Sequence, residues 1–180
     1  MELFLIDNFD SFTYNLAHLL SNVLKCNPRV VSYSEFRGEH LNGCEAVVIS
    51  PGPGKPCEYP KYEILRDCDR PILGICLGMQ ILNELYDGST DVLDDCVHGK
   101  TDEIEMEGRK FTVARYHSLF VSKVASNFQV VSQNRQGIPM AIRHINKPIV
   151  GFQFHPESFM TSEGQYFIDY AFNCFKKISV

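Results

Sequence analysis

The stretch Pro71-Ile72-Leu73-Gly74-Ile75-Cys76-Leu77-Gly78 decides how this chain folds and where its chemistry lies. A short apolar run enters it and a run with helical spacing of apolar residues leaves it, which predicts a sharp turn from a buried strand into a helix. Glycines two residues before and after Cys76 let the neighbouring backbones approach without Cβ clashes. The turn presents Cys76 at its apex, and the amides and dipole of the following helix favour the thiolate. The pattern indicates a nucleophile, although a cysteine after an apolar strand is more often a small core residue.

Strands and helices alternate through the first half of the chain. The apolar runs predict strands at Leu3–Ile6, Arg29–Tyr33, Ala46–Ile49 and Pro71–Ile75. Helical spacing predicts one helix that Asp10 or Ser11 caps and that ends near Leu24, and a second from Leu77 to about Tyr86. This order is typical of a parallel sheet covered on both faces, in which ligands bind at the carboxyl ends of the strands.

The second half has short, often alternating runs separated by Gly, Asn or Asp. They predict antiparallel strands at Asp102–Met106, Lys110–Ala114, Phe128–Ser132, Met140–His144 and Pro148–Phe154. A last helix, from about Gly164 to Lys177, places an apolar stripe on one face that consists of Phe167, Ile168, Ala171, Phe172 and Phe175. We therefore expect an α/β fold with a central, mixed but mostly parallel sheet flanked by helices, and a smaller antiparallel section, in a single domain over residues 1–180.

A histidine and a carboxylate lie two residues apart in Val150-Gly151-Phe152-Gln153-Phe154-His155-Pro156-Glu157. Side chains at i and i+2 of an extended chain share a face, and Pro156 favours an extended residue before it. His155 could take a thiol proton, and Glu157 could fix its tautomer and stabilise the imidazolium. Each residue alone is more often structural, but together with Cys76 they indicate a catalytic triad.

A proline-rich loop follows the strand at Ala46–Ile49 and reads Ser50-Pro51-Gly52-Pro53-Gly54-Lys55-Pro56. Between residues 51 and 54 only Gly52 and Gly54 keep a backbone N–H. A rigid loop with one or two unpaired donors beside a nucleophile is suited to stabilising a tetrahedral oxyanion. In isolation, the same string would be read as an ordinary surface turn.

Three strings in this order, SPGPG at 50–54, GICLGMQ at 74–80 and GFQFHPES at 151–158, resemble the motifs of the class I, or triad, glutamine amidotransferases. The string DNFDSFTYNL at 7–16 is similar to the branch that forms the glutaminase subunit, component II, of anthranilate synthase and aminodeoxychorismate synthase. HGK at 98–100 and YHSL at 116–119 fit the same branch. The resemblance covers essentially the whole chain and implies a flavodoxin-like fold.

The resemblance implies a role for each motif residue. Cys76 would attack the side-chain amide of glutamine to give a glutamyl thioester, His155 would shuttle the proton, and Glu157 would orient His155. The oxyanion would lie on the amides of Gly52 and Leu77. The order Cys, His, Glu departs from that of α/β-hydrolases, and a papain-like protease would carry its cysteine near a mature N-terminus.

The resemblance also implies a substrate and a partner, and no cofactor or metal. Family members hold L-glutamine with residues that correspond here to Gly52, Gly54, Gln80, Ser118 and Leu119. Gln80 lies one helical turn after Cys76, on the same face. Nothing resembles a site for chorismate, ATP or magnesium, so we expect a chorismate-binding synthase subunit as partner. That subunit would make anthranilate for tryptophan, 4-amino-4-deoxychorismate for folate, or both. His98, Lys100 and His117 are either contacts with it or plain exposed polar residues.

Composition limits the other partners. The net charge of −5 without a basic cluster argues against nucleic acid. The longest apolar stretches are strand-sized, so no membrane span is expected. Seven cysteines without CxxC spacing suggest neither a zinc site nor a disulfide framework, and a cytoplasmic location is expected.

Two other functions stay open. An amidotransferase that serves GMP, CTP or carbamoyl phosphate synthesis would share the triad, although the N-terminal string argues against it. A non-catalytic module could keep a cysteine at such a turn in a chaperone-like or redox-sensing protein. The presence of all three triad residue types, the Pro-Gly loop and Gln80 argues against that loss of function.

Overall fold

The computed structural model describes residues 1–178, except for the side chains of residues 94–98. Its centre is a sheet with the strand order β2-β1-β3-β4-β9-β8-β7. The strands are β1 (Leu3–Asp7), β2 (Arg29–Ser32), β3 (Ala46–Ile49), β4 (Ile72–Ile75), β7 (Phe128–Gln133), β8 (Pro139–His144) and β9 (Ile149–Phe152). Strands β2, β1, β3, β4 and β9 pair in parallel, whereas β8 and β7 add antiparallel strands at one edge. The parallel part has the 2-1-3-4-5 order of flavodoxin-like sheets.

A separate two-stranded antiparallel sheet, which we call the antiparallel arm, consists of β5 (Ser89–Met106) and β6 (Arg109–Lys123). Both strands are much longer than the segments predicted from the alternation. Register shifts interrupt their pairing between Val92 and Val97 and between His98 and Lys100. The end of the arm next to the β5–β6 turn packs on the main sheet through Ile104, Met106, Phe111 and Val113, which are all buried.

Within the residues that the structure describes, three helices cover the sheet: α1 (Thr13–Leu24), α2 (Leu77–Leu85) and α3 (Gly164–Ile178). α1 and α3 pack with the arm over one face, and α2 packs over the other face with the 3-10 turns at Pro56–Glu58 and Pro60–Leu65. Strands β1, β3, β4 and β9 are buried along nearly their whole length, because helices or turns cover both faces.

The register of the strands brings the predicted site residues together at the carboxyl edge of the parallel sheet. Ile75 at the end of β4 pairs with Phe152 at the end of β9, so Cys76 and Gln153 emerge side by side. The amide of Cys76 donates to the carbonyl of Phe152 at 2.7 Å. In the same way Ile6 of β1 pairs with Ile49 of β3, and the loops that follow these strands meet.

The sequence predictions of an α/β fold and a mostly parallel sheet are confirmed, while several boundaries were wrong. Neither Asp10 nor Ser11 caps α1; its N-cap is Phe12, and the Asp10 carboxylate accepts the Phe12 amide instead. β9 ends at Phe152 and does not continue to residue 154. On α3, Cys174 is buried, whereas Phe172 is only half-buried. The buried face repeats every three or four residues, and that spacing leads from Ala171 to Cys174 and Phe175.

Candidate active site

The turn between β4 and α2, Gly74–Gly78, is the predicted elbow. Cys76 has φ 52° and ψ −105°, a backbone conformation that a residue with a Cβ rarely adopts. The flanking glycines permit it by close approach: a Cβ on Gly78 would lie 2.5 Å from the carbonyl oxygen of Ile49, and one on Gly74 would lie 2.5 Å from the backbone of Gly78. The helix therefore begins directly after the sulfur and sits tightly on the sheet.

His155 and Glu157 are in direct contact, with His155 Nδ1 2.7 Å from Glu157 Oε1. Both side chains are buried, at 3% and 0% exposed. The two residues lie in a turn beyond β9 and not on an extended strand, so the prediction that they share one face of a strand was wrong. The turn closes through a hydrogen bond from the Ser158 amide to the His155 carbonyl. We call residues 153–161 the acid–base turn.

The charge on His155 is set by its neighbours. Burial by itself lowers the pKa of His155, but the Glu157 carboxylate and the nearby Cys76 sulfur outweigh burial and raise that pKa well above its ordinary value. Nε2 of His155 is buried without a hydrogen-bond partner among the described side chains, as is Oε2 of Glu157. The edges of two rings close over the imidazole, with centroids at 5.9 Å for Phe12 and 5.0 Å for Tyr116.

The loop Ser50–Pro56, the Pro-Gly loop, is anchored by a buried asparagine. The amide of Asn8 donates to Ser50 Oγ, and its Nδ2 donates to the Ser50 carbonyl, both at 2.9 Å. Asn8 Oδ1 in turn accepts the hydroxyl of Tyr62 at 2.6 Å. The loop passes close to the elbow, because a Cβ on Gly52 would lie 2.5 Å from Asn8 Cβ and 2.9 Å from Leu77 Cδ2.

Two backbone amides are available near the sulfur. Gly52 N–H has no acceptor within the described residues. Leu77 is the first residue of α2, so its amide has no intrahelical acceptor. Gly54 lies further along the loop, where a Cβ would meet the carboxylate of Glu58. Donors of this kind can stabilise a tetrahedral oxyanion, and the assignment of Gly52 and Leu77 to that role stays a prediction.

The predicted glutamine-binding side chain Gln80 is buried, at 2% exposed. Its Nε2 donates to the Leu119 carbonyl at 3.0 Å and to Gln153 Oε1 at 3.1 Å. Gln80 and Leu119 are thus brought together, whereas the neighbouring Ser118 is exposed. The substrate roles of these three residues stay predictions.

Sequence reasoning missed two polar residues of the site. Gln153 is fully buried, and its Nε2 donates to Cys76 Sγ at 3.6 Å. Asn8 is also fully buried and holds the Pro-Gly loop, whereas the string DNFDSFTYNL, to which it belongs, predicted only a branch of a family. In both cases the sequence contains a pattern that could have predicted a site residue: an amide side chain directly after an apolar strand.

The residues suggested as partner contacts differ from one another. Lys100 is exposed, whereas the side chain of His98 lies outside the described residues. His117 is 5% exposed, so the prediction that it is a surface residue was wrong. Its Nε2 accepts from Arg115 Nε at 3.0 Å, and its Nδ1 lies 2.7 Å from the Leu119 carbonyl. Burial, reinforced by the Arg115 charge, lowers the pKa of His117 to about 4.

The part of the chain that the structure describes offers no metal site and no membrane-spanning helix. No group of three or more His, Cys, Asp or Glu side chains there is arranged to hold a metal ion. None of the helices in that part has the length and apolar character to span a membrane.

Known proteins resemble this chain along most of its length. The family described as glutamine amidotransferase class-I matches residues 4–177. The Bacillus subtilis aminodeoxychorismate/anthranilate synthase component 2 is 38% identical over 179 residues, which cover 89% of this chain and 90% of that protein. The Streptomyces griseus aminodeoxychorismate synthase is 34% identical over 91% of this chain, but the chain spans only 25% of that protein. The structure of a Thermotoga maritima glutamine amidotransferase has a TM-score of 0.75 and covers 98% of this chain and 85% of that one; at 16% identity it shows the fold alone.

Proposed function

The chain belongs to the class I glutamine amidotransferase family, and from that premise we propose that it is the glutaminase subunit of a chorismate-binding synthase. It hydrolyses L-glutamine to glutamate and ammonia, and the partner uses the ammonia to make anthranilate, 4-amino-4-deoxychorismate or both. The observation that carries the proposal is the strained backbone of Cys76 beside the contacting pair His155 and Glu157. Residues 1–180 act as one amidotransferase unit.

Cys76 is the nucleophile of this proposed reaction, and His155 is the proton carrier. The sulfur attacks the side-chain carbonyl carbon of glutamine, the C–N bond breaks, and ammonia leaves with a proton from the His155 imidazolium. Water, deprotonated by His155, then cleaves the glutamyl thioester and releases glutamate and the free thiol. The buried Glu157 carboxylate supports this cycle because it stabilises the charged imidazole.

The amides of Gly52 and Leu77 hold the oxyanion in this proposal. The fixed position of the Pro-Gly loop supports it, since a preorganised donor stabilises the transition state without reorganising. Removing one such donor typically slows the reaction about a hundred- to a thousandfold. Anchoring by Asn8 keeps the loop against the elbow.

Glutamine binds, in the same proposal, among Gly52, Gly54, Gln80, Ser118 and Leu119. Nε2 of Gln80 is already engaged with Leu119 and Gln153, whereas its Oε1 has no donor within the described residues. Gln80 therefore offers the substrate an acceptor, which suits an N–H of glutamine. The exposed Ser118 offers its backbone and hydroxyl.

The synthase subunit binds outside the triad, and exposed Lys100 stays a candidate contact. His117 is no longer one, because its ring is buried. All six cysteines whose side chains the structure describes are unpaired, which supports a location in a reducing compartment such as the cytoplasm.

Product formation with a partner tests the proposal. Chorismate, glutamine and each candidate synthase subunit are mixed with the chain or with its Cys76→Ala variant. Anthranilate or aminodeoxychorismate that forms from glutamine, and disappears in Cys76→Ala while free ammonia still supports synthesis, is the expected result and identifies the pathway. A synthase that uses ammonia but never glutamine in the presence of the chain would overturn the proposal.

A further inference from the structure

Gln153 places a buried amide side chain against the sulfur of Cys76. It follows β9 directly, is fully buried, and its Nε2 donates to the sulfur of Cys76 at 3.6 Å. The contact arises from register, because the pairing of Ile75 with Phe152 sets the next residue of each strand side by side. None of the roles assigned above includes Gln153.

The orientation of the Gln153 amide is fixed by its neighbours. The Leu119 carbonyl can only accept, so the atom of Gln80 that faces it at 3.0 Å is the nitrogen. The same nitrogen faces Gln153 at 3.1 Å, so the atom of Gln153 at that position is the oxygen. The remaining end of the Gln153 amide, which faces the sulfur, is therefore the donor.

The hydrogen-bonded chain continues into the antiparallel arm. Arg115 Nε can only donate, so His117 Nε2 must accept and His117 Nδ1 must carry the proton that goes to the Leu119 carbonyl. Arg115 is held by Asp102, with Arg115 Nη1 2.7 Å from Asp102 Oδ2. The side chains of Arg115, His117, Gln80 and Gln153 are all buried, so the hydrogen bonds among them lie in a low-dielectric environment.

We propose that Gln153 is a catalytic residue whose amide stabilises the Cys76 thiolate, and that His117 and Arg115 are positioning residues that hold this amide through Leu119 and Gln80. A donor aimed at the sulfur favours its anionic form before attack and again when the thioester is cleaved. The catalytic part of this proposal rests on the proposed glutaminase function, whereas the contact with the sulfur does not.

Alkylation of Cys76 tests the contact without any substrate. The protein reacts with iodoacetamide from pH 5 to pH 10, and mass spectrometry follows the peptide that contains Cys76. Losing a charge-assisted donor destabilises the thiolate relative to the thiol. We therefore expect Gln153→Leu to raise the midpoint of the alkylation profile, the pH at which the rate is half its maximum, by about one unit. Below that midpoint the variant should react about tenfold more slowly than the wild type. Gln165→Leu, the same change on an exposed face of α3, should match the wild type. An unchanged midpoint in Gln153→Leu would overturn the proposal.

A second variant separates the donor from simple packing. Gln153→Met keeps the length and unbranched shape of the side chain but has no N–H to donate, so it should raise the midpoint about as much as Gln153→Leu. Circular dichroism establishes that each variant is folded. A Gln153→Met profile that coincides with the wild type contradicts a donor role, even if Gln153→Leu does not fold.

The positioning part has its own rescue test. His117→Leu removes the donor to the Leu119 carbonyl and should raise the alkylation midpoint, whereas His117→Asn keeps an amide donor and should move it back towards the wild-type value. If His117→Leu leaves the midpoint unchanged, His117 is not a positioning residue.

Turnover with the synthase distinguishes this inference from the proposed function. We expect Gln153→Leu to lower kcat about tenfold, because Gln153 contacts the sulfur. A rise in KM for glutamine reports instead on Gln80, which loses the oxygen that accepts from its Nε2. Wild-type glutaminase activity with unchanged kcat in the variant would overturn the catalytic role alone. A shifted alkylation midpoint in a protein without any glutaminase activity would overturn the proposed function and keep the contact.

Discussion

The elbow, Gly74–Gly78, contains within five consecutive residues the glycines that its sharp turn requires. The acid–base turn, residues 153–161, is instead held in place by groups distant in the sequence. The elbow owes its shape to two glycines that let α2 approach β3 and β4. The acid–base turn owes its shape to β6: the His155 amide donates to the Ala114 carbonyl at 3.1 Å, and the Ala114 amide donates to Thr161 Oγ1 at 3.0 Å.

The nucleophile and the base are therefore positioned in different ways. The elbow stores strain at Cys76 that tight local packing sustains. The base has no such local requirement, and its position depends on hydrogen bonds that join residues 41 and 47 positions apart in the sequence. Damage to the elbow should therefore act on the whole fold, and damage to the acid–base turn should act more locally.

The largest expected effect is at the elbow. Gly78→Ala places a Cβ 2.5 Å from the backbone oxygen of Ile49, which cannot move without moving β3. We expect the free energy of unfolding to fall by about 3 kcal/mol or more, measured by urea denaturation. Gly38→Ala is the control, because its Cβ meets only the end of the flexible Ile64 side chain. Equal stability of the two variants would show that close approach is not what fixes the elbow.

The next effect depends on pH and concerns His117, on the strand that supports the acid–base turn. Its folded pKa of about 4 lies below the unfolded value, so it contributes stability above that unfolded value, and the contribution is lost as pH falls towards the folded pKa. Between about pH 6.5 and pH 4 the wild type should lose about 3 kcal/mol more than His117→Asn, which does not titrate there. Urea denaturation across this range measures the loss, and parallel curves for the two proteins would contradict it.

A smaller effect is expected at Thr161, which ties the acid–base turn to β6. Its hydroxyl donates to the His155 carbonyl at 2.6 Å and accepts from the Ala114 amide. Thr161→Val keeps the shape but leaves the Ala114 amide without its acceptor and removes one of the two hydrogen bonds that the His155 carbonyl accepts, so the free energy of unfolding should fall by about 2 kcal/mol. Thr101→Val, at an exposed position of β5, serves as the matched control in the same urea titration. A loss as large as that of Gly78→Ala would contradict the expectation that damage to this turn acts more locally than damage to the elbow.

The smallest effect is expected behind the Pro-Gly loop. Tyr62→Phe removes the hydroxyl that Asn8 Oδ1 accepts at 2.6 Å, and the free energy of unfolding should fall by about 1 kcal/mol. Tyr14→Phe, at a side chain 72% exposed, should leave thermal unfolding unchanged. The anchoring of the loop by Tyr62 would be contradicted if the two variants had the same melting temperature.

The elements of the parallel sheet were predictable because their signals are local. Apolar runs of strand length and a helical repeat after Cys76 depend on neighbours in sequence, and β3, β4 and α2 lie where these patterns indicated. The arm was underestimated because β5 and β6 carry polar residues on an exposed face, so their alternation fades before their pairing ends. His117 was misjudged because its burial depends on Arg115 and Leu119 and not on its own polarity.

The sequence by itself determined the elbow, the Pro-Gly loop, the branch of the family and the three residue types proposed as a triad, because each is a contiguous string with its own steric or chemical requirement. Only the tertiary structure decided that Gln153 contacts the sulfur, that Asn8 anchors the loop, and that a chain of hydrogen bonds joins the arm to Cys76. Those contacts depend on which strands lie side by side and in which register. Register is a property of the packed sheet, to which residues distant in sequence contribute together.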